Sequence, residues 1–290
     1  MSTPLVTVIC LCFNHENYVL DSIRSVLNQT YQNIQLIIID DASTDGSVSV
    51  IENFLKTNPD IQFIKQVENT GNCKAFNHTL KFAKGEYIID LAADDILLPN
   101  RIEQGVKTFE SHDTDYGINF SDAAYINEKS EVIKHHYTRD SGGRLTTIIP
   151  QGNVFIEVLQ SYFICSPTTM IKKVVLDELN GYDESLNYED FDLWVRASRS
   201  WKFCYTDKVL VQKRVLSKSH GHQQYKRGNK QMESTYQVCL KAFKLCENKD
   251  EHEALRIRMK YELKHAMWLV KPSLTFKYLS LWIKSVRASR

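Results

Sequence analysis

The chain has 290 residues, of which 43% are apolar, and carries 36 Lys/Arg against 35 Asp/Glu. That length suits one large domain or two small ones, and the apolar share supports a sizeable core. No apolar run approaches the ~20 residues that span a bilayer. The opening Met1-Ser2-Thr3-Pro4-Leu5 has no basic segment, so no signal peptide is expected. The seven cysteines are scattered without a CxxC pair, which argues against zinc and for a reduced, cytoplasmic protein.

Residues 5–11 form an apolar first strand, and Asn14-His15-Glu16-Asn17 is a cap-rich turn into a helix marked by Val19, Ile23 and Val26. The aliphatic run 36–39 is a second, buried parallel strand. Val48, Ile51 and Leu55 follow at helical spacing, and 61–65 is a short third strand. Asn69-Thr70-Gly71-Asn72 turns into a helix over 75–83, which Gly85 is expected to end as a C′ residue. Residues 87–91 make the fourth strand, and Pro99 restarts a helix with Ile102, Val106 and Phe109 on one face. Beyond it the reading is mixed. Residues 116–125 suit a strand, 127–130 a hairpin turn, 138–150 a mobile polar loop, 154–159 a short helix, and 168–171 a return to the sheet. Gly181 closes another helix, and 188–196 reads as a helix start with carboxylates in its first turn. The strand–helix alternation of the first hundred residues predicts an α/β fold with a mostly parallel sheet and helices on both faces.

Three acidic clusters sit at element ends: Asp40/Asp41, Asp94/Asp95 and Glu189/Asp190. A single pair is as readily a cap or a solvated end. Two pairs following buried strands and one opening a helix point instead to a ligand crevice at the strands' carboxyl ends. Acids there suit ribose hydroxyls, a base N–H or a metal ion, and not bare phosphate.

The order of motifs resembles family 2 glycosyltransferases of the GT-A fold over roughly Val6 to Arg196. The matching stretches are Val6-Thr7-Val8-Ile9-Cys10-Leu11-Cys12-Phe13-Asn14, Ser25-Val26-Leu27-Asn28-Gln29-Thr30-Tyr31 and Ile39-Asp40-Asp41-Ala42-Ser43-Thr44-Asp45-Gly46-Ser47. Asn69-Thr70-Gly71, Lys84-Gly85-Glu86-Tyr87-Ile88 and Ala93-Asp94-Asp95-Ile96-Leu97-Leu98-Pro99 follow, then Gly181-Tyr182-Asp183-Glu184 leading to Glu189-Asp190-Phe191-Asp192-Leu193-Trp194. The resemblance implies a Rossmann-like GT-A domain over 1–230, with a donor half at 5–100 and an acceptor half at 101–215, and a basic helical extension over 231–290.

It implies inverting transfer from a nucleotide-diphosphate sugar, a UDP-sugar by preference, to a saccharide or lipid-linked glycan of surface polysaccharide synthesis. Phe13 and Asp41 would contact the base, with Asn14, Asn69, Lys74 and Asp94 completing the donor set. Asp94 and Asp95 would hold Mg²⁺ or Mn²⁺, which stabilises a departing diphosphate. Asp190 would be the base that takes the acceptor's proton.

Three departures from the family pattern stand out. The first Asp of the usual Asp-X-Asp aligns with Ala92 or Ala93, which removes one metal-side carboxylate. An Arg common before Asn77 is Phe76, so the charge falls to Lys74. A His common two positions after Arg214 is Leu216; the resemblance leaves the nearby His220 and His222 as candidates to reach the metal or the diphosphate, against the plainer reading of surface histidines.

The tail differs from the body. Nine Lys/Arg and one Glu fall in 255–290, leaving 27 basic and 34 acidic side chains, a net of −7, in residues 1–254. An acidic body disfavours nucleic acid. Leu279, Trp282, Ile283 and Val286 share one helix face and Lys277, Ser280, Lys284 and Arg287 another, the pattern of an interfacial helix on the anionic inner face of the cell membrane. The plainer reading is an amphipathic helix packed on the domain.

Two other functions compete. A catalytically silent nucleotide-sugar binder would follow from the missing signature Asp. A sugar nucleotidyltransferase would need a Gly-rich basic loop after the first strand, where Phe13-Asn14-His15-Glu16-Asn17 stands instead. The missing GxGxxG likewise excludes a dinucleotide dehydrogenase.

Overall fold

In the computed structural model, which describes residues 3–216 and 231–289, the first strand is buried along its whole length. This strand, β1 (Val6–Cys12), pairs in parallel with β2 (Ile34–Asp40) on one side and β4 (Tyr87–Ala92) on the other. β2 pairs in parallel with β3 (Gln62–Lys65). A parallel strand covered on both faces must be apolar on both, which is why β1 reads as a run and not an alternation. Val6, Val8 and Cys10 share a core with α1 (Val19–Leu27), α2 (Ser47–Leu55) and α4 (Arg101–Glu110). Ile9 and Leu11, equally buried, serve the other face, where α3 (Asn72–Leu80) lies against β1 and β2.

Five more strands complete the sheet: β5 (Ile96–Leu97), β6 (Tyr116–Ile126), β7 (Val132–His135), β8 (Met170–Lys172) and β9 (Lys202–Arg214). The order is β3-β2-β1-β4-β8-β6-β9-β5, with β7 paired to β6 off this path. β8 runs antiparallel to β4 and β6, and β9 runs parallel to β6. The expected α/β sheet is present, and the first four strands and their helices fall where periodicity puts them. β9 has no counterpart among the expected elements. Its register against β6 jumps from Ser121–Thr206 to Asp122–Val209, so the exposed Asp207 and Lys208 interrupt the alternation that would mark a strand.

Two further expectations are corrected. The third helix ends at Leu80 with Lys81 as its cap, so Gly85 is no C′ residue. Gly85 is required by close approach: a Cβ there would stand 2.5 Å from the Thr7 backbone nitrogen and 2.9 Å from the Leu5 carbonyl oxygen. Its N–H donates to Thr7 Oγ1 at 2.9 Å.

The polar stretch after β7, expected as a mobile loop, folds into a hairpin with Arg139 bridged to Leu145. Asp140 Oδ1 accepts the N–H groups of Gly142 and Arg144, an Asx turn. The hairpin is pinned by Arg139, which donates to the fully buried Asp122 at 3.2 Å and to Asp207 at 2.5 Å.

The chain divides into two compact units. The first, comprising Met1–Gly152, Ile164–Tyr182 and Lys202–Leu216, contains the whole sheet, α1–α4 and α6 (Lys173–Glu178). After α6 both Asn180 (φ 56°) and Gly181 (φ 70°) are left-handed. The Gly181 N–H returns to Leu176 O at 2.8 Å, so Asn180 takes the C′ place and Gly181 the next.

The second unit holds α5 (Phe155–Gln160), α7 (Asp190–Ala197), α8 (Gln231–Leu245), α9 (Lys249–Trp268) and α10 (Pro272–Ala288). Within it Lys241 of α8 donates to both Asp183 and the fully buried Asp192. Arg258 of α9 lies 4.0 Å over the Tyr162 ring and 5.1 Å from that of Phe191. No helix among the described residues is long and apolar enough to cross a membrane.

Gly85→Ala should destabilise the protein by about 1–3 kcal/mol, because the clash is with backbone that cannot turn aside. Urea denaturation measures this, and an unchanged midpoint would refute the close-approach reading. A pH effect follows from Asp183. Burial opposes its ionisation, but hydrogen bonds from Lys241 and Ser185 outweigh burial and hold the carboxyl at about 2. A depressed folded-state value stabilises the fold above the unfolded value near 4, and that stability is lost as pH falls toward 2. The full effect would be about 2 kcal/mol, less after solvent screening of the partly exposed carboxylate. Asp183→Asn should therefore flatten the fall in urea midpoint between about pH 4 and pH 2.

Candidate active site

The register of β1 decides where the polar residues meet. Cys12 stands opposite Asp40 and Leu11 opposite Ala92, so Phe13, Asp41 and Asp94 leave the sheet along one carboxyl edge. The order β3-β2-β1-β4 reverses direction between β1 and β4, and a reversal of this kind opens a crevice for ligands. His15, just after β1, spans it: its Nε2 lies 3.9 Å from Asp94 Oδ2. His15 Nδ1 is buried with no hydrogen-bond partner.

The loops after β1 and β2 are laced together. The Asn14 N–H donates to Ser43 Oγ at 2.8 Å, and Asn14 Oδ1 accepts the Thr44 N–H at 2.8 Å. Asn14 itself is left-handed at φ 57°, a conformation Asn tolerates better than most residues. The His15 N–H donates to Ser47 Oγ at 2.9 Å, and Glu16 Oε2 accepts the Gly46 N–H at 2.6 Å. Asp40 is fully buried and accepts from Ser43 N–H and Oγ. The acidic pair at the end of β2 thus divides: Asp40 shapes the turn, and Asp41 reaches the next loop. Asp41 accepts from Thr70 N–H (2.8 Å), Thr70 Oγ1 (3.0 Å) and Gly71 N–H (2.8 Å). These bonds fix the turn that opens α3, where Gly71 has φ 86°.

The pair after β4 divides in the same way. Asp95 points inward: its Oδ1 accepts the Arg214 N–H at 2.7 Å. Burial and the neighbouring Asp94 charge raise the Asp95 pKa well above the usual carboxylate range. Asp94, with its side chain 12% exposed, faces His15. Arg214, buried at the end of β9, ties the region down through Asp94 O (3.0 Å), Asn127 O (2.9 Å) and Ser130 Oγ (3.0 Å). Its guanidinium sits 4.5 Å from the centre of the Tyr18 ring.

Of the expected donor residues, Phe13 is 42% exposed at this edge, and Asn69 and Lys74 are exposed about the start of α3. Asn14 has its side-chain oxygen engaged by the turn. Phe76, where the family pattern has Arg, is fully buried and stacks on Tyr182 at 4.2 Å. Asn77 beside it holds the Tyr182 backbone, accepting its N–H at 2.9 Å and donating to its carbonyl at 2.8 Å. The Tyr182 hydroxyl in turn donates to Asp90 at 3.0 Å. The loss of Arg at this position is thus matched by an aromatic contact that fixes the 181–182 turn.

Among the described residues no three His, Cys, Asp or Glu side chains gather as a metal site. His220 and His222 lie outside the described residues. The Asp94/Asp95 pair still suits a hard divalent cation: adjacent carboxylates, one of them raised in pKa first by burial and then by its neighbour, gain from positive charge. Such an ion keeps waters and ligand oxygens in its shell and needs only one or two carboxylates.

Asp190 belongs to the second unit. It is the first residue of α7, with Glu189 as N-cap, and its Oδ1 accepts the Phe191 N–H at 2.6 Å. Asp192 on the same turn is fully buried and taken up by Arg196 and Lys241. Sequence reasoning passed over His15 and gave Arg214 no role. His15 could be found as the one imidazole in the first strand-end loop. Arg214 is hidden because β9 itself carries no clean alternation.

The sequence model of Glycosyl transferase family 2 matches residues 7–179. An uncharacterised glycosyltransferase of Methanocaldococcus jannaschii is 29% identical over 228 residues, covering 76% of this chain and 74% of its own. Staphylococcus aureus TarS in complex with UDP-GlcNAc superposes with TM-score 0.72 at 15% identity, over 99% of this chain and 82% of that one. The mannosyltransferase PcManGT from Pyrobaculum calidifontis, in complex with GDP-Man and Mn²⁺, gives TM-score 0.64 at 16% identity, over 100% and 77%. With its GT-A fold and a family match over more than half its length, the chain belongs to glycosyl transferase family 2 and is a glycosyltransferase.

Proposed function

We propose that the enzyme transfers a sugar, with inversion, from a UDP-sugar to a hydroxyl of a saccharide or lipid-linked glycan in surface polysaccharide synthesis. The observation that carries the donor assignment is the carboxyl edge at the β1–β4 reversal, where Asp41, Asp94 and the exposed Phe13 follow adjacent strand ends and His15 lies 3.9 Å from Asp94. Phe13 offers a face for stacking on a base. Asp41 uses three of its carboxylate's roughly four acceptor positions on Thr70 and Gly71, and the last suits a base N–H. Asn69 and the cationic Lys74 are available to the ribose and diphosphate, and Asn14 shapes the loop beneath them. The donors bound by TarS and PcManGT are both nucleotide sugars, which supports the donor class.

Asp94, backed by Asp95, would hold Mg²⁺ or Mn²⁺, and a bound divalent ion would neutralise the charge on the departing diphosphate. His220 is kept as a proposed third ligand. Asp190 is the proposed base. As the acceptor oxygen bonds to the anomeric carbon, the bond from that carbon to the diphosphate oxygen breaks and the acceptor's proton passes to the Asp190 carboxylate. Attack opposite the leaving group inverts the anomeric centre.

A second reading, a binder without turnover, is favoured by Ala92 and Ala93 in place of the first signature carboxylate.

Thermal-shift measurements with UDP-, GDP-, dTDP- and CMP-sugars, with and without Mn²⁺, test the donor site. A shift specific to UDP and enlarged by Mn²⁺ is expected, and Asp94→Asn should remove the Mn²⁺-dependent part. A larger shift with another nucleotide would overturn the base assignment. Asp190→Asn should lower transfer by about 10²–10⁴-fold while keeping the donor shift. Full activity in that variant would remove Asp190 from the mechanism. Donor binding by the unmodified protein with neither transfer nor slow donor hydrolysis would favour the silent binder.

A further inference from the structure

The C-terminal helix α10 carries two apolar stripes where a packed surface helix needs one. Leu274, Tyr278, Leu281 and Ser285, spaced by four, three and four, are buried, and Arg256 of α9 donates to Ser285 from the adjoining helix. That stripe accounts for the packing of α10 within its unit. A second stripe, Phe276, Leu279 and Ile283, is spaced by three and four on another side and is 74%, 45% and 52% exposed. The expected face of Leu279, Trp282, Ile283 and Val286 thus shifts by part of a turn, with Trp282 and Val286 half-buried at its margin. Just ahead of α10, Met267 and Trp268 at the end of α9 and Val270 after it are 56%, 73% and 75% exposed. Scattered exposed apolar residues are normal, but six within seventeen consecutive positions exceed scatter.

The charges beside it select the partner. Lys277, Lys284 and Arg287 are exposed on α10, and no acidic residue follows Glu262, itself fully buried. A second copy of this chain would bring these cations against their own kind, and protein interfaces are depleted in Lys at their cores. Nucleic acid would satisfy the cations but leave Phe276, Leu279 and Ile283 in water. An anionic lipid surface answers both, because acyl chains take the apolar stripe and headgroups the bases.

We propose that the segment 267–270, at the end of α9, and the outer stripe of α10 dock this protein on anionic bilayers as a peripheral, non-spanning contact. The proposal is independent of the donor chemistry and of Asp190.

The test is co-sedimentation of the full chain with phosphatidylcholine vesicles, with and without phosphatidylglycerol. Binding is expected only with phosphatidylglycerol, and should weaken at least about tenfold in high salt. F276E/I283E and K284E/R287E should each weaken it at least about tenfold, with unchanged melting temperatures because all four side chains are exposed. Three results would each overturn the proposal. They are no binding to the anionic vesicles, equal binding to the neutral ones, or anionic binding that both variants retain. Sedimentation velocity supplies a separate check. A concentration-dependent dimer that F276E/I283E abolishes would assign the stripe to a second copy instead.

Discussion

The central constraint is that β1 is hydrogen-bonded in parallel on both sides. A strand so placed has no face for water and no free edge, so its polar chemistry is expelled to its ends. At the carboxyl end this gathers the loops after β1, β2 and β4, and each loop then stabilises another. Ser43 and Ser47 serve the first loop, and Asp41 serves the loop that opens α3. This carboxyl edge is therefore held in place by the protein's own hydrogen bonds. Holding groups ready in this way reduces the ordering cost of binding.

Each acidic cluster contains residues of two kinds. Asp40, Asp95 and Asp192 are buried and satisfied by the protein's own donors. Asp41, Asp94 and Asp190 stand beside them with different partners. Asp40 and Asp95 hold backbone N–H groups beside them, Asp41 holds the turn that opens α3, and Asp94 faces His15. Composition alone misleads here, because the same residue type at adjacent positions meets different partners.

Much of this was legible in the sequence. The continuous apolar runs located β1, β2 and β4, and the residues at their ends located the polar carboxyl edge. What escaped had physical reasons. Gly85 looked like a helix terminator because it follows a helical pattern, yet its role is a close contact with Thr7, a residue 78 positions away. No local pattern encodes such a contact. β9 was masked by its register jump, and with it Arg214. Phe76 read as a lost cation, and its stacking on Tyr182 depends on a pairing across more than a hundred residues. The two stripes of α10 differ only in what lies against them, which periodicity does not reveal.

The tie between Asp122 and Arg139 has a consequence for how such an enzyme diversifies. The hairpin beyond β7 is fastened at its base, where Arg139 joins the sheet through a fully buried carboxylate. Residues 140–144 hang from that post and touch the sheet through it. Lengthening or rewriting this short segment leaves the anchor in place, and the entropy of closing a longer loop rises only slowly with its length. The segment can thus be rewritten while the Arg139–Asp122 anchor beneath it keeps its place.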